Sequence, residues 1–455
     1  MRIALVQPRY PHGKSQVYLP GGLMNLGSRL LHAGLEVDLR DCNLDPLPDH
    51  TKYDVIGYSV LGPPYIPGVT AEIRELRARG FTGKVLVGGE GVARLAQSDF
   101  DTWFGTGCTR IRNISQDEYK QPVYDLEEAL GLEPGTVPSM FETSMVAMLR
   151  QLSEERQKLY LTREFCLFLS QGCKFNCDFC IASKNTPETY RSHAALLDEL
   201  EYVCARLAQW EHPALTCYIS NLDAFQNPPK LEERLRRVEE VASRHGVTPN
   251  LRALATSRCT VEACRKDRNL PKRLRSYGLS IVAFGADGAD KEAWKREHKA
   301  HNTLPELQEA FVSMREAGIT TEFLMVIGFQ SNPAMALIRA FRFSFEKAWH
   351  GAVIRPYLGK SKVPGNEHWE RADPEVRNFL ANPALLLRLD YAMLGSRETH
   401  PRLSQRWLSN AIYLAIIVAL APFDLCPTRP LVPVPTNGLK RHIAKAINRL
   451  MPFDR

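Results

Sequence analysis

Three cysteines in the middle of the chain are the residues best placed to do chemistry. Cys173, Cys177 and Cys180 form a C-x3-C-x2-C run. Thiolates at this spacing can bind three irons of a [4Fe–4S] cluster, but they leave the fourth iron without a protein ligand. That iron would be open to a small molecule, and a reaction could begin there.

Two other uses of these thiols are open. A tetrahedral zinc site would need a fourth ligand, and Cys166 or His193 is near enough in sequence to supply it. The thiols could also be reduced and purely structural. The spacing, the aromatic Phe179 and the apolar run 165–169 before the cysteines favour the cluster.

These features together resemble the radical S-adenosylmethionine (SAM) superfamily, roughly from Arg163 to Asn366. The resemblance implies a [4Fe–4S] cluster held by Cys173, Cys177 and Cys180, with SAM bound to the open iron. One electron from the cluster would cleave SAM to a 5′-deoxyadenosyl radical. The resemblance also implies a small-molecule substrate and an electron donor of the flavodoxin or ferredoxin type.

Composition narrows the class of protein. The chain has 455 residues, enough for two or three domains, and its charged fraction of 24% is ordinary for a globular protein. Eleven cysteines in a chain of this length do not form a disulfide scaffold, and they predict a reducing cytoplasm. The net charge of +7 is mild, and no basic stripe is interleaved with aromatic residues, so we predict no nucleic-acid partner.

Residues 1–135 alternate apolar strands with helical patterns, which predicts a doubly wound, Rossmann-like parallel sheet. The predicted strands are 2–7, 35–39, 54–61 and 84–87, and the predicted helices are 22–33 and 69–78. Ligands of such sheets lie beyond the C-terminal ends of the strands, and glycines gather there in this sequence. A generic nucleotide-binding fold would explain these glycines equally well.

Two strand ends of this first domain are more specific. Ser59-x-Leu61 and Gly88-Gly89-Glu90 resemble motifs of the cobalamin-binding domain that precedes many radical SAM cores, which implies cobalamin contacts at Ser59, Leu61, Gly88, Gly89 and Glu90. The D-x-H-x-x-G loop of that domain, whose His ligates cobalt, is absent from the sequence. Either cobalamin binds without a protein His on cobalt, or the domain has kept the fold and lost the cofactor. We expect the first.

Residues 136–160 are predicted to be a linker with one helix over 141–159, and residues 161–366 repeat the strand–helix alternation. The predicted strands are 165–169, 216–220, 251–255, 280–284, 322–327 and 353–357, and the predicted helices are 193–209, 231–244 and 305–317. We expect Ser192 to cap the first of these helices. Six strands predict an open, partial (β/α)6 barrel whose site lies at the C-terminal ends of the strands.

Several residues of this barrel resemble SAM contacts of the family: Phe179, Arg191, Ser220, Arg258, Asp287 and Ile327. By resemblance, Asp287 would accept a hydrogen bond from a ribose hydroxyl, Ile327 would lie beside adenine and Arg191 would contact the SAM carboxylate. Each of them could equally be a turn or cap residue. Lys299 stands in a run of charged residues and is expected to be solvated.

Residues 367–455 are predicted to be a helical region. The segment 411–423 is almost wholly apolar but shorter than the roughly 20 residues that a bilayer span requires, so we expect a helix packed on the barrel. The pattern of 438–451 predicts a basic amphipathic helix, which can lie on an anionic membrane surface or cap a domain. The predicted location is the cytoplasm, with membrane-surface contact through 438–451 as one alternative.

The leading functional hypothesis is a biosynthetic radical SAM enzyme that uses cobalamin to methylate an unactivated carbon of a small molecule. In that case the cofactors carry the difficult chemistry. The absent cobalt-ligand His motivates an alternative, a radical SAM dehydratase or rearrangement enzyme without methyl transfer. A third hypothesis is a non-catalytic metal-binding protein.

Overall fold

The computed structural model of the protein describes residues 1–9, 17–62, 65–93, 95, 97–111, 124–180, 182, 186–299, 301–327, 334–358 and 403–420. Two parallel sheets organise these residues, one near the N-terminus and one in the central part of the chain. The predicted domain boundaries at 135/136, 160/161 and 366/367 stay predictions.

The first sheet has five parallel strands: β1 Arg2–Gln7, β2 Glu36–Asp41, β3 Val55–Ser59, β4 Lys84–Gly88 and β5 Cys108–Arg110. Their order is β2-β1-β3-β4-β5, and the connecting helices are α1 Gly21–His32, α2 Ile66–Ala78, α3 Glu90–Ala93 and α4 Gln97–Phe104. Ile3 and Leu5 pack in the core that contains α1, whereas Ala4 and Val6 pack in the core that contains α2. Helices therefore cover both faces, which confirms the doubly wound sheet.

The second sheet has six parallel strands: β6 Phe165–Phe168, β9 Ala214–Ser220, β10 Thr248–Ala255, β11 Leu279–Gly285, β12 Thr320–Ile327 and β13 Val353–Leu358. A two-stranded hairpin, β7 Ser170–Gln171 and β8 Thr189–Tyr190, follows β6. The order β13-β12-β11-β10-β9-β6 leaves β13 and β6 as edges in the described part of the chain. This confirms the open, partial barrel.

Helices join the barrel strands. They are α8 His193–Gln209, α9 Pro228–Arg244, α10 Ser257–Lys266, α11 Leu270–Ser276, α12 Lys291–Arg296, α13 Leu304–Glu316 and α14 Ala334–Trp349. Helix α8 has the predicted bounds, and the Ser192 side chain accepts a hydrogen bond from the Ala195 backbone N–H at 3.3 Å. That cap satisfies a backbone donor that the helix itself leaves unpaired.

The segment between the sheets differs from its prediction. Its described residues form three helices, α5 Tyr124–Leu130, α6 Val146–Gln151 and α7 Glu154–Leu161, so a single helix over 141–159 is wrong. The chain becomes extended at Leu152, and the Ser153 side chain then accepts from the Arg156 N–H to begin α7. A serine at an N-cap starts a new helix more readily than it continues an old one.

A last described helix, α15 Leu403–Leu420, packs against α14 and β13. In this helix the side chains of Ile412, Tyr413, Ile416 and Ile417 are buried. Up to residue 420, the apolar segment 411–423 therefore forms the packed helix that we expected. Within the described ranges, no helix is both long and apolar enough to cross a membrane. Residues 421–423 and the predicted amphipathic helix 438–451 lie outside the described residues.

Candidate active site

The hairpin β7–β8 frames the loop that carries the three cysteines. Gly172 enters this loop with φ +111°, and a Cβ at this position would lie 2.3 Å from the Pro187 carbonyl oxygen. Only glycine tolerates both conditions. Backbone hydrogen bonds then close the loop, from Thr186 N to Cys173 O at 2.9 Å and from Cys180 N to Cys177 O at 3.1 Å.

None of the three thiols of this loop is in a disulfide, and all three are partly exposed. Burial, with smaller contributions from neighbouring thiols, raises the pKa of Cys173 to about 11 and that of Cys177 to about 12. Iron must therefore displace protons when it binds, as thiolate ligation generally requires. In the part of the chain that the structure describes, no three His, Cys, Asp or Glu side chains converge on one point. A cubane binds each thiolate to a different iron, so three separated thiols of one loop fit a [4Fe–4S] cluster.

The segment after α12 packs on the cysteine loop. The Asp178 N–H donates to Glu297 O at 3.1 Å, and the Asp178 carboxylate pairs with His298 at 2.6 Å. The rings of Phe175 and His301 stack with centroids 3.8 Å apart, and burial together with nearby cations lowers the pKa of His301 to about 3. The neutral ring thus serves as a flat packing surface for the loop.

A buried ion pair lies beside this contact. Lys299 pairs with Asp287, and their side chains are only 10% and 6% exposed. The lysine also donates to Gly285 O at 3.0 Å and lies 5.6 Å from the centre of the Phe179 ring. The expectation that Lys299 is solvated is wrong. It is instead the cation that faces Phe179 and Asp287, two of the predicted SAM contacts.

Two more predicted SAM contacts lie at strand ends of the barrel. Ile327 ends β12, and protein covers its side chain completely. Arg258, near the start of α10, is 37% exposed and pairs with Glu306 at 3.3 Å. Their contacts with SAM stay predictions.

A polar atom at the end of β9 has more support as a ligand contact than Ile327 or Arg258. Ser220 ends this strand, and the next residue, Asn221, is 6% exposed. Among the residues that the structure describes, its Oδ1 atom is buried and has no hydrogen-bond partner. A buried acceptor without a partner costs free energy, so this atom fits a ligand donor such as the ammonium or a hydroxyl of SAM. The predicted strand 216–220 ends just before Asn221, but no sequence pattern indicates that its side-chain acceptor has no partner in the described part of the chain.

Arg191, another predicted SAM contact, lies in a buried ion pair. Its guanidinium forms hydrogen bonds to Glu199 at 2.6 and 3.1 Å, and each of the two side chains is 1% exposed. It also donates to Thr143 O at 3.0 Å. The guanidinium is therefore largely committed to protein partners, and its contact with the SAM carboxylate stays a prediction. Glu199, which the sequence analysis did not identify, lies about two turns into α8, whereas Arg191 precedes that helix.

A cavity of about 410 Å³ lies between the two sheets. On one side it is lined by ends of β3 and β4, including Ser59, Leu61, Gly88, Gly89 and Glu90, and on the other by barrel residues, including Cys166, Phe168, Arg191 and Ser220. All five predicted cobalamin contacts thus lie on one wall. Ser220 and Arg191, two predicted SAM contacts, lie on the opposite wall.

One turn on the wall formed by the first sheet requires glycine. Gly89 has φ +100°, and a Cβ there would lie 2.6 Å from Val60 O, so only glycine fits the turn. Leu61 is apolar and yet 51% exposed at the cavity rim. Covering it with a ligand would remove apolar surface from water, which favours binding. No histidine is among the described residues that line the cavity.

A comparison with protein families identifies the central part of the chain. Residues 167–338 match the model of the radical SAM superfamily. This segment is a radical SAM domain. The family implies a [4Fe–4S] cluster and SAM as cofactors, and Cys173, Cys177 and Cys180 are the residues that would hold the cluster.

Solved structures share the fold over a longer stretch than the radical SAM domain alone. The methyltransferase TsrM from Kitasatospora setae, with cobalamin and a [4Fe–4S] cluster bound, has a TM-score of 0.58 at 15% identity over 79% of this chain and 75% of its own. Its complex with tryptophan and a SAM analogue has a TM-score of 0.59 at 15% identity over 80% and 74%.

The cobalamin-dependent enzyme OxsB, with aqua-cobalamin and SAM bound, has a TM-score of 0.59 at 14% identity. The match covers 85% of this chain and 56% of OxsB, so the chain spans just over half of that protein. At these identities the likeness shows the fold, a radical SAM domain with a preceding parallel sheet. No curated protein matches the chain in sequence.

Proposed function

We propose that this radical SAM enzyme is cobalamin-dependent and methylates an unactivated carbon of a small molecule in a biosynthetic pathway. The observation that carries the proposal is the cavity of about 410 Å³, because the predicted cobalamin contacts line one wall and barrel residues line the other. A methyl carrier and a radical source must both reach one substrate atom. A space shared by the two sheets would allow that.

The neighbours in structure support the same proposal. TsrM is described as a methyltransferase with cobalamin and a cluster bound, and OxsB as a cobalamin-dependent radical enzyme. Both share the fold of this chain over more than three quarters of its length, 79% and 85%. The missing cobalt-ligand His is compatible with this proposal if cobalamin binds through the strand ends.

The residues of this chain would bind the cofactors and the substrate, orient them and exclude water from the site. When bound, the cluster and SAM would supply a 5′-deoxyadenosyl radical and cobalamin would supply the methyl carrier. Cys173, Cys177 and Cys180 would hold the cluster, and Asn221 Oδ1 would accept a hydrogen bond from SAM. Gly88 and Gly89 would let the backbone approach the corrin, and Phe168 would shield the shared space from water.

Three further parts of the proposal follow from the sequence. An electron donor of the flavodoxin or ferredoxin type would reduce the cluster, and a reducing cytoplasm would keep the thiols available.

The tail 438–451 would give peripheral membrane contact. Flotation of the full chain with anionic liposomes tests this last point, with a chain that ends at residue 437 as the control.

The decisive experiment uses the full chain, reconstituted without oxygen. We expect about four irons per chain, bound cobalamin in equimolar amount, and formation of 5′-deoxyadenosine from SAM after reduction. S-adenosylhomocysteine should also form, because it appears only when SAM has given up its methyl group. Cys177→Ala should lose the iron and the 5′-deoxyadenosine but keep the cobalamin, since Cys177 is not among the cavity residues.

The outcomes separate the competing hypotheses. Cleavage of SAM without bound cobalamin would contradict methylation and favour dehydration or rearrangement. One zinc per chain and no iron would support the zinc site. A protein that holds a cluster but does not cleave SAM would be the non-catalytic alternative.

A further inference from the structure

The side chain of Gln226 bridges the backbone on both sides of Cys173. Its Oε1 atom accepts from the Lys174 N–H at 2.8 Å, and its Nε2 atom donates to Gly172 O at 3.1 Å. One amide group therefore fixes the peptide groups immediately before and after a cluster ligand. Nothing in the sequence motif indicates this, because Gln226 is more than fifty residues away in the chain.

Thr186 holds the remaining backbone groups of Cys173. The Cys173 N–H donates to Thr186 Oγ1 at 3.3 Å, and Cys173 O accepts from the Thr186 N–H at 2.9 Å. Together with Gln226, these bonds define the position of the Cys173 backbone on every side. Such a network rigidifies a site when all its members are satisfied.

Gln226 is itself held by the barrel. It belongs to the turn after β9, where its N–H donates to Asp223 O at 3.2 Å. The Asp223 side chain is fully buried and accepts from Phe225 N at 3.2 Å, from Thr256 N at 3.1 Å and from Thr256 Oγ1 at 2.7 Å. These bonds tie the turn after β9 to the start of α10. The amide of Gln226 is thus presented from a rigid part of the barrel.

The same turn begins beside Asn221, whose unpartnered acceptor fits SAM, and Ser220, which lines the cavity. We propose that Gln226 is a positioning residue for the cluster, which fixes Cys173 relative to the end of β9. Through it, one turn sets the distance between the iron bound to Cys173 and the strand end where SAM would bind. This inference goes beyond the proposed methylation, because it concerns only the cluster and SAM.

The test compares three variants of the full chain after reconstitution without oxygen. Gln226→Met removes both hydrogen bonds at similar volume, and Gln226→Asn keeps an amide that is too short to reach both groups. Gln209→Met is the matched control, because Gln209 ends α8 and bonds to Arg206 on the surface. Three quantities are measured: the rate of iron loss to a chelator, the midpoint potential, and the change in the electron paramagnetic resonance spectrum of the reduced cluster when SAM is added.

We expect iron loss from Gln226→Met to be roughly thirtyfold faster than from wild type, the order expected for two lost neutral hydrogen bonds. Its midpoint potential should shift, and the spectral change on adding SAM should be weaker. Gln226→Asn should change in the same direction, and Gln209→Met should match wild type. None of these readouts needs cobalamin, so they stand even if the methylation proposal fails.

Wild-type iron retention, potential and spectra in both Gln226 variants would overturn the proposal. If Gln226→Met does not fold, as judged by circular dichroism of the metal-free chain, Gln226→Asn decides alone. A Gln226→Asn variant that matches wild type would then overturn it as well.

Discussion

At the scale of single residues, the charges around the cluster loop were the hardest to predict. The sequence around Lys299 is rich in charge and indicates a solvated segment. The structure buries Lys299 against Asp287, which lies in a tight turn with positive φ of 39° at Asp287 and 48° at Ala289. Non-glycine residues adopt such φ values only when their surroundings hold them there. No local sequence pattern predicts that constraint. The three cysteines could be predicted as cluster ligands because their spacing alone is typical of such a site.

The buried pair gives a prediction about stability. Lys299→Met should lower the free energy of unfolding by about 3–5 kcal/mol, because it leaves the Asp287 carboxylate buried without its cation. Urea unfolding of the metal-free chain measures this. Lys295→Met is the matched control, because Lys295 is exposed on α12 and its replacement should change stability by less than about 0.5 kcal/mol.

A second substitution checks that the effect comes from the unpaired charge. Adding Asp287→Asn to Lys299→Met should recover part of the lost stability, because the remaining group is then neutral. Equal stability of Lys299→Met and wild type would show that the pair is solvated after all. Asp287→Asn alone should also weaken SAM binding if Asp287 accepts from the ribose.

At the scale of elements, strands were predicted more reliably than helix breaks. The six barrel strands are rich in apolar residues, as expected for the strands of a buried parallel sheet. The break at Leu152–Ser153 was missed because 141–159 keeps a helical pattern across it, and one serine cap decided the outcome. The helices α10 and α11 were missed because they are short and charged, with ten and seven residues.

The turn after β4 gives a prediction about the cavity wall. Gly89→Ala should abolish cobalamin binding, because an added Cβ would collide with Val60 O at 2.6 Å and φ is +100°. Retention of cobalamin after gel filtration measures this. Gly68→Ala is the control: Gly68 lies in α2 with open space around it, so alanine should stabilise the chain by about 0.5–1 kcal/mol. A Gly89→Ala chain that still holds cobalamin would remove β4 from the proposed site.

At the scale of the whole molecule, the segment between the two sheets connects them through hydrogen bonds. This segment, residues 124–161, is called the bracket below. It bonds to the first sheet through Arg29 Nε to Pro138 O at 2.6 Å and through Met148 N to Ser28 Oγ at 3.1 Å. It bonds to the barrel through Met145 N to Glu199 at 3.1 Å. One hydrophobic core runs from β1 to α15 through both sheets. The shape of the cavity between the sheets therefore depends on this bracket, which sequence analysis treated as a linker.

Glu199 is the point where the bracket, the barrel and the cavity meet. Its carboxylate accepts from Arg191 and from Met145 N, and both Glu199 and Arg191 line the cavity. Glu199→Gln should lower the free energy of unfolding by roughly 3–5 kcal/mol, because Arg191 would remain buried without a counter-charge. Cobalamin affinity should fall as well, because the two walls would lose their fixed spacing. Isothermal titration and urea unfolding of the same preparation measure both quantities.

Glu201→Gln, on the same helix, is the matched control. Glu201 is 42% exposed and pairs with Arg244 and His245 at the surface, so its loss should cost at most about 1 kcal/mol and leave cobalamin affinity unchanged. If Glu199→Gln loses stability but binds cobalamin as tightly as wild type, the bracket supports the fold without shaping the site. If both variants lose cobalamin affinity equally, the effect is general to α8. The Arg191–Glu199 pair would then not determine the spacing of the cavity walls.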